Sequence, residues 1–171
     1  MKRLVRVVRE VGVLAPDWTP DLKTKLERET GAKAFDYPLK RTAISLVNEL
    51  RTFASLLKLF RQKTPEVVIT FQPKPNAYGV LSAALGGVPR RFAVVEGLGY
   101  AFTPGEENFK KRLLREVLSV LYRISFALAH KVFFLNPDDL EEFVARGLVR
   151  REKAVLLGGI GVPLEEWPPA P

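Results

Sequence analysis

Residues 67–102 read VVITFQPKPNAYGVLSAALGGVPRRFAVVEGLGYAF, and this stretch decides the fold. Two short apolar runs, Val67–Phe71 and Phe92–Val95, each give way to a loop of unusual residues. A segment of small residues from about Ala77 to Leu85 has the composition of a joining helix. Strand, crossover helix and strand make a βαβ unit, whose two strands run parallel. Their carboxyl ends then open on one edge of the sheet, the edge where open α/β sheets bind ligands. That edge collects Gln72, Lys74, Asn76 and Tyr78 from the first loop, and Glu96, Gly97, Gly99 and Tyr100 from the second.

The same alternation continues on both sides. Downstream, Thr103-Pro-Gly-Glu106 has the form of a capping box and predicts a long helix to about Ala129. Its core stripe is expected at Phe109, Leu113, Val117, Val120, Ile124 and Leu128, widened by Leu114, Leu118 and Leu121. Val132–Leu135 reads as a strand, and Asn136-Pro-Asp-Asp139 opens another helix, with an Asn cap and two acids at the positive end of the helix dipole. Gly147 stops that helix, and a last strand from Ala154 to Leu157 runs into Gly158-Gly-Ile-Gly161. Upstream, a short strand ends at Ala15, and Thr19-Pro20 caps a helix that Gly31 closes. Lys33 to Leu39 is expected as a strand, and Ser45–Lys63 as an amphipathic helix with Leu46, Leu50, Phe53, Leu57 and Phe60 on its stripe. Strands alternating with helices predict an α/β fold of three layers, Rossmann-like, around a mostly parallel sheet.

Composition narrows the chemistry. The 171 residues suit one domain and contain no cysteine and one histidine, so a disulfide framework and a thiolate metal site are excluded. No apolar run approaches the roughly 20 residues of a membrane span, which makes the cytoplasm the expected location. A net charge of +8 favours an anionic partner: nucleic acid, acidic lipid headgroups or a phosphorylated small molecule.

Four ordered motifs carry a resemblance. Thr70-Phe-Gln-Pro-Lys-Pro-Asn-Ala-Tyr-Gly79, Val95-Glu-Gly-Leu-Gly-Tyr-Ala-Phe102, Phe133-Phe-Leu-Asn-Pro-Asp-Asp139 and Gly158-Gly-Ile-Gly-Val162 follow one another as in bacterial family 4 glycosyltransferases. Over roughly Val11 to Pro168 the chain resembles the amino-terminal domain of the capsular-polysaccharide and lipid-linked-oligosaccharide enzymes. The resemblance implies half of a GT-B architecture, in which two Rossmann-like domains face each other across a cleft. It implies a retaining, metal-free transfer with no cofactor. The acceptor would be a polyprenyl-diphosphate-linked sugar or other glycan, and the sugar nucleotide would be held by a separate donor domain.

Against the family pattern, the strand, glycine-rich loop and helix that usually come first have at most residues 2–10 to stand in for them. No Glu has a second Glu eight positions on, as the family's donor domain carries. The expected organisation is a transferase amino-terminal domain over residues 1–165 and an interdomain linker over 166–171. Such a chain is expected to be inactive without its donor-binding domain. The alternative is a non-catalytic module, either a vestigial transferase half or a basic domain that binds nucleic acid.

Within that frame Glu96 is the candidate catalytic residue: a carboxylate at a strand end can take a proton from an acceptor hydroxyl or bind sugar hydroxyls, or else pair with Arg90 or Arg91. Gln72, Lys74, Asn76, Tyr78, Gly97, Gly99, Tyr100 and Asn136 are the candidate substrate contacts. Lys74 beside a helix start suits a diphosphate, or is a solvated lysine next to an ordinary cap. Gly97 and Gly99 let a backbone approach a sugar, or permit a turn. Asn136 is a sugar contact or a helix cap. His130 reads as structural, an imidazolium at a helix end. Ser45–Lys63 and Phe109–Arg123 are basic and amphipathic, so peripheral attachment to a membrane surface is a further expectation, with core packing as its rival. Nucleic acid ranks lower, because Phe53, Phe60, Phe109 and Phe143 are expected on core faces and not in an exposed stacking row.

Overall fold

The computed structural model describes residues 8–39, 46–103 and 108–159. It divides into two compact units, one up to Leu59 and one from Phe60 onward. In the first, β1 (Gly12–Ala15) pairs in parallel with β2 (Lys33–Asp36), with Gly12 opposite Lys33 and Ala15 opposite Asp36. Between them α1 (Pro20–Thr30) starts as expected: the Leu22 N–H donates to Thr19 Oγ1, and Gly31 ends the helix. The β2 strand stops at Asp36, three residues short of the expected Leu39. The helix α2 (Leu46–Lys63) spans the division between the units. Its buried positions are Glu49, Thr52, Leu56 and Phe60, whereas Leu50, expected in the core, is exposed. Thr52 can be buried because its hydroxyl donates to the Pro38 carbonyl at 2.6 Å.

The second unit holds four strands: β3 (Val67–Phe71), β4 (Arg90–Val95), β5 (Lys131–Phe134) and β6 (Ala154–Leu156). They pair in the order β3-β4-β5-β6, all in parallel. The mostly parallel α/β expectation therefore holds, although the hydrogen-bonded ladder is divided into a two-stranded and a four-stranded sheet. A π-helical turn, Pro75–Gly79, leads into α3 (Val80–Leu85) between β3 and β4. The long α4 (Phe109–Leu128) follows β4, and α5 (Pro137–Ala145) follows β5. Right-handed crossovers between strands added in sequence order place these helices on one face. The core agrees: Ala93, Val95, Val132 and Phe134 pack with Val80, Tyr122, Phe126, Leu140 and Phe143. On β3 the alternation is plain, with Val68 and Thr70 buried and Val67, Ile69 and Phe71 exposed.

Two expectations about α4 are overturned. Its cap is Asn108, whose Oδ1 accepts the Lys111 N–H at 2.8 Å, while the Thr103 hydroxyl donates to the Gly99 carbonyl. The buried face is Lys111, Ser119, Tyr122, Ser125 and Phe126, flanked by Leu114, Leu118 and Leu121. Of the expected stripe, Phe109, Leu113, Val117, Val120 and Ile124 are exposed instead, and only Leu128 packs against the core. Small hydroxyls account for the reversal: Ser119 and Ser125 let the helix come close, and Ser125 Oγ donates to the Ala77 carbonyl within the π turn at 2.5 Å. Phe109 is therefore outside the core, contrary to the stacking-row argument.

The far end of α4 is held by cations from neighbouring elements. Lys153 Nζ donates to the Ala127 and Ala129 carbonyls, and Arg91 Nε to that of Leu128. Desolvation, followed by the nearby Arg150, lowers the Lys153 pKa. His130 joins β4 at its start: its Nδ1 accepts the Arg91 N–H at 3.2 Å, and its own backbone N–H donates to the Arg91 carbonyl at 2.8 Å. Gly161 and the linker expected over 166–171 lie outside the described residues.

Candidate functional site

The carboxyl ends of β3 and β4 build the site. At the end of β3, Gln72 takes a left-handed backbone conformation (φ 68°), and its carbonyl accepts the Asn76 N–H at 3.0 Å. Such a conformation is uncommon for a residue with a side chain and marks a loop whose path is imposed by its surroundings. What imposes it is Asn76, which is buried. Asn76 Oδ1 accepts the Thr70 hydroxyl at 2.7 Å, and Nδ2 donates to the Val94 carbonyl at 2.8 Å. One amide thus ties strand β3, the π turn and strand β4 together. Gly79 allows the turn to sit this close, because a Cβ there would lie 2.9 Å from Thr70 Cγ2.

The second loop is shaped by Gly99, at φ 71°, whose carbonyl accepts the Phe102 and Thr103 N–H groups and the Thr103 hydroxyl. Buried Lys111 braces this loop from α4: its Nζ donates to the Thr103 carbonyl at 2.8 Å and lies 5.4 Å from the Tyr100 ring centroid. The two loops meet, with Pro73 Cγ placed 3.4 Å from where a Gly99 Cβ would be.

Between them lies an open cavity of about 250 Å³, lined by Gln72, Pro73, Asn76, Val95, Glu96, Gly97, Gly99 and Tyr122. The structure therefore gathers five of the nine sequence candidates around one hollow: Gln72, Asn76, Glu96, Gly97 and Gly99. Glu96 and Gly97 are solvent-exposed at its rim. The Arg91 guanidinium is engaged with the Val88 and Leu128 carbonyls, so it is not the partner of Glu96. Asn76 is in the wall with its amide committed to the protein, which makes it a residue that shapes the site.

Lys74, Tyr78, Tyr100 and Asn136 are not among the lining residues. Lys74 and Tyr78 are half-buried beside the first loop, and Tyr100 is exposed. Asn136 caps α5: its Oδ1 accepts the Asp139 N–H, and its Nδ2 donates to the Asp139 carboxylate. A second hollow, of about 330 Å³, borders the other side of the same loop between Leu98, Phe102, Thr103, the α5 residues Asp138 and Glu142, and Arg146 at the end of that helix. Its Arg146 is already paired with Glu142 at 2.6 Å and lies over the Phe102 ring.

Sequence reasoning missed Tyr122 and Lys111. Tyr122 reaches the cavity from α4, stacked on Phe126 with ring centroids 4.9 Å apart, and burial pushes its phenol far above the ordinary tyrosine pKa. The available signal was that both lie on the Ser119/Ser125 face of α4 and not on the leucine-rich one. Among the described residues no group of His, Asp and Glu converges as metal ligands do, and no helix is long and apolar enough to cross a membrane.

Over 160 residues the chain is 31% identical to the N,N'-diacetylbacillosaminyl-diphospho-undecaprenol alpha-1,3-N-acetylgalactosaminyltransferase of Campylobacter jejuni, covering 94% of this chain and 41% of that protein. It is 25% identical over 142 residues to the UDP-Gal:alpha-D-GlcNAc-diphosphoundecaprenol alpha-1,3-galactosyltransferase of Escherichia coli, covering 83% and 35%. The chain thus spans about two fifths of the length of these relatives. Among solved structures, Acinetobacter baumannii MurG superposes with a TM-score of 0.57 at 14% identity, over 96% of this chain and 41% of that one. That likeness gives the fold as Rossmann-like, of the kind found in half of a GT-B enzyme. The profile of the glycosyl transferase 4-like domain matches residues 1–159, and the chain belongs to that family.

Proposed function

We propose that this chain is the acceptor-side half of a retaining, sugar-nucleotide-dependent glycosyltransferase that extends a polyprenyl-diphosphate-linked glycan in surface-polysaccharide or glycan assembly. The observation that carries the reading is the open cavity at the ends of β3 and β4, with the Glu96 carboxylate exposed at its rim. An exposed carboxylate beside two glycines suits a sugar, since it can accept hydrogen bonds from two hydroxyls while the backbone at Gly97 and Gly99 leaves room for the ring. Both relatives are named for undecaprenol-diphosphate acceptors, which supports the same acceptor class here.

In this reading Glu96 orients the acceptor hydroxyl and Gln72 flanks it, while Asn76 and Tyr122 hold the wall. Lys74, beside the first loop, faces the acceptor's diphosphate. The sugar nucleotide is supplied from a second, donor-binding domain across the cleft, and the departing diphosphate can itself take the proton. Positioning is then the chief contribution of this half, which does not turn over alone. It works on the cytoplasmic side, where sugar nucleotides are made.

The test is calorimetric titration of the chain with a short-chain polyprenyl-diphosphate-linked sugar, and with the same polyprenyl diphosphate lacking the sugar. The sugar-linked compound should bind more tightly, and Glu96→Ala should remove most of that difference. Equal binding of the two compounds would count against the reading, as would a Glu96→Ala variant that keeps the difference.

A further inference from the structure

The cavity at the ends of β3 and β4 contains a polar group that the protein leaves unpaired. Tyr122 is 3% exposed, and its ring is held by those of Phe126, Phe143 and Phe102, with centroids 4.9, 5.6 and 6.0 Å away. No described residue hydrogen-bonds to its hydroxyl, and that hydroxyl is not sealed in the interior either. It opens into the cavity that Tyr122 lines. A buried hydroxyl without a partner is costly, and a core position among three phenylalanines is served as well by a fourth. The oxygen of Tyr122 therefore calls for an explanation outside the fold.

Its surroundings define what it can hold. Burial raises the phenol pKa, so the group stays protonated as an O–H donor. Val95 and Pro73 give the lining apolar surface, while its one carboxylate, Glu96, is exposed at the rim and disfavours an anion inside. Asn76 already commits its amide to Thr70 and Val94. A sugar hydroxyl set against the phenol would share one hydrogen bond and leave one proton over. A carbonyl only accepts, and a methyl group beside it fills an apolar wall. We propose that Tyr122 is a specificity-determining contact of the cavity, its hydroxyl donating to the carbonyl of an acetamido group on the acceptor sugar while the methyl of that group rests against Val95 and Pro73. The inference rests on the acceptor reading above and names the substituent which that reading leaves open. Because three rings already fix the donor, little freedom is lost when the bond forms.

The experiment is calorimetric titration with three short-chain polyprenyl diphosphates: one carrying N-acetylglucosamine, one carrying glucose, which has a hydroxyl at the same carbon, and one carrying no sugar. The parent should bind the acetamido compound about tenfold more tightly than the glucose compound. Tyr122→Phe should bring that ratio close to one and leave binding of the glucose compound unchanged. Since the hydroxyl has no partner in the protein, the variant should melt no lower than the parent, unlike a variant that loses a structural hydrogen bond. If neither sugar compound binds better than the sugar-free lipid, the acceptor reading falls and this inference with it. If both sugar compounds exceed the sugar-free lipid equally, or Tyr122→Phe keeps the parent's ratio, the role of Tyr122 is overturned while the acceptor reading stands.

Discussion

Replacing Asn76 by alanine should loosen the wall of the site more than any exposed substitution in it. Asn76 is 2% exposed and makes both of its side-chain bonds to the protein interior. Without it, the Val94 carbonyl loses a donor at 2.8 Å, a full penalty for a buried polar group. The Thr70 hydroxyl loses its acceptor but can turn to the Phe92 carbonyl, 3.4 Å away, so only part of a second penalty applies. Adding the small void, the loss is about 2–4 kcal/mol. For a chain of this size that lowers the melting temperature by roughly 5–15 °C. Urea unfolding should show a lower midpoint with an unchanged slope. Asn76→Asp should be at least as damaging, because it sets an oxygen against the Val94 carbonyl. Thr70→Val combined with Asn76→Ala should cost less than the sum of the two, since they share one bond. A loss under about 0.5 kcal/mol for Asn76→Ala, or an aspartate variant as stable as the parent, would refute the argument.

Three other outcomes follow from the same contacts. Gly79→Ala should destabilise by about 1–3 kcal/mol through the 2.9 Å approach to Thr70 Cγ2, and Thr70→Ser, which removes that methyl group and keeps the hydroxyl, should restore part of the loss in urea unfolding. Lys153→Met should reduce stability by about 1–2 kcal/mol, because the Ala127 and Ala129 carbonyls lose their charged donor, with fraying of the last turn of α4 visible in hydrogen exchange. Burial raises the Tyr122 pKa above its ordinary value of 10.0, so its contribution is complete below pH 10 and is lost as the pH climbs beyond it. Stability measured above pH 10 should therefore fall less steeply in Tyr122→Phe than in the parent.

The succession of elements was legible in the sequence because local chemistry decides it. Apolar runs bounded by Gly, Pro and Asn located β3, β4 and β5, and Thr19 and Asn136 announced their helices through caps that the structure contains. The meeting of the two loops was legible too, since parallel strands must open on one edge. Helix faces were harder to read. The leucine- and valine-rich stripe of α4 looks like a core face, but burial there falls on the face of the small residues Ser119 and Ser125, where the Ser125 hydroxyl is satisfied by the Ala77 carbonyl. The same holds for α2, where Thr52 is buried through its bond to Pro38 while Leu50 is not. A capping box at Thr103 was indistinguishable in sequence from a loop hydroxyl that turns back to Gly99. The roles of Asn76 and Lys111 depend on partners distant in the chain or across a turn, which spacing alone does not reveal.

The account depends most on the claim that an acceptor sugar sits against the ends of β3 and β4. Amide shifts of the isotopically labelled chain, followed during titration with a short-chain polyprenyl-diphosphate-linked sugar, test it directly. The account predicts that the largest changes fall at Gln72, Glu96, Gly97 and Gly99 and saturate together. Saturable changes confined to β1, α1 and β2, with those four amides unmoved, would contradict it.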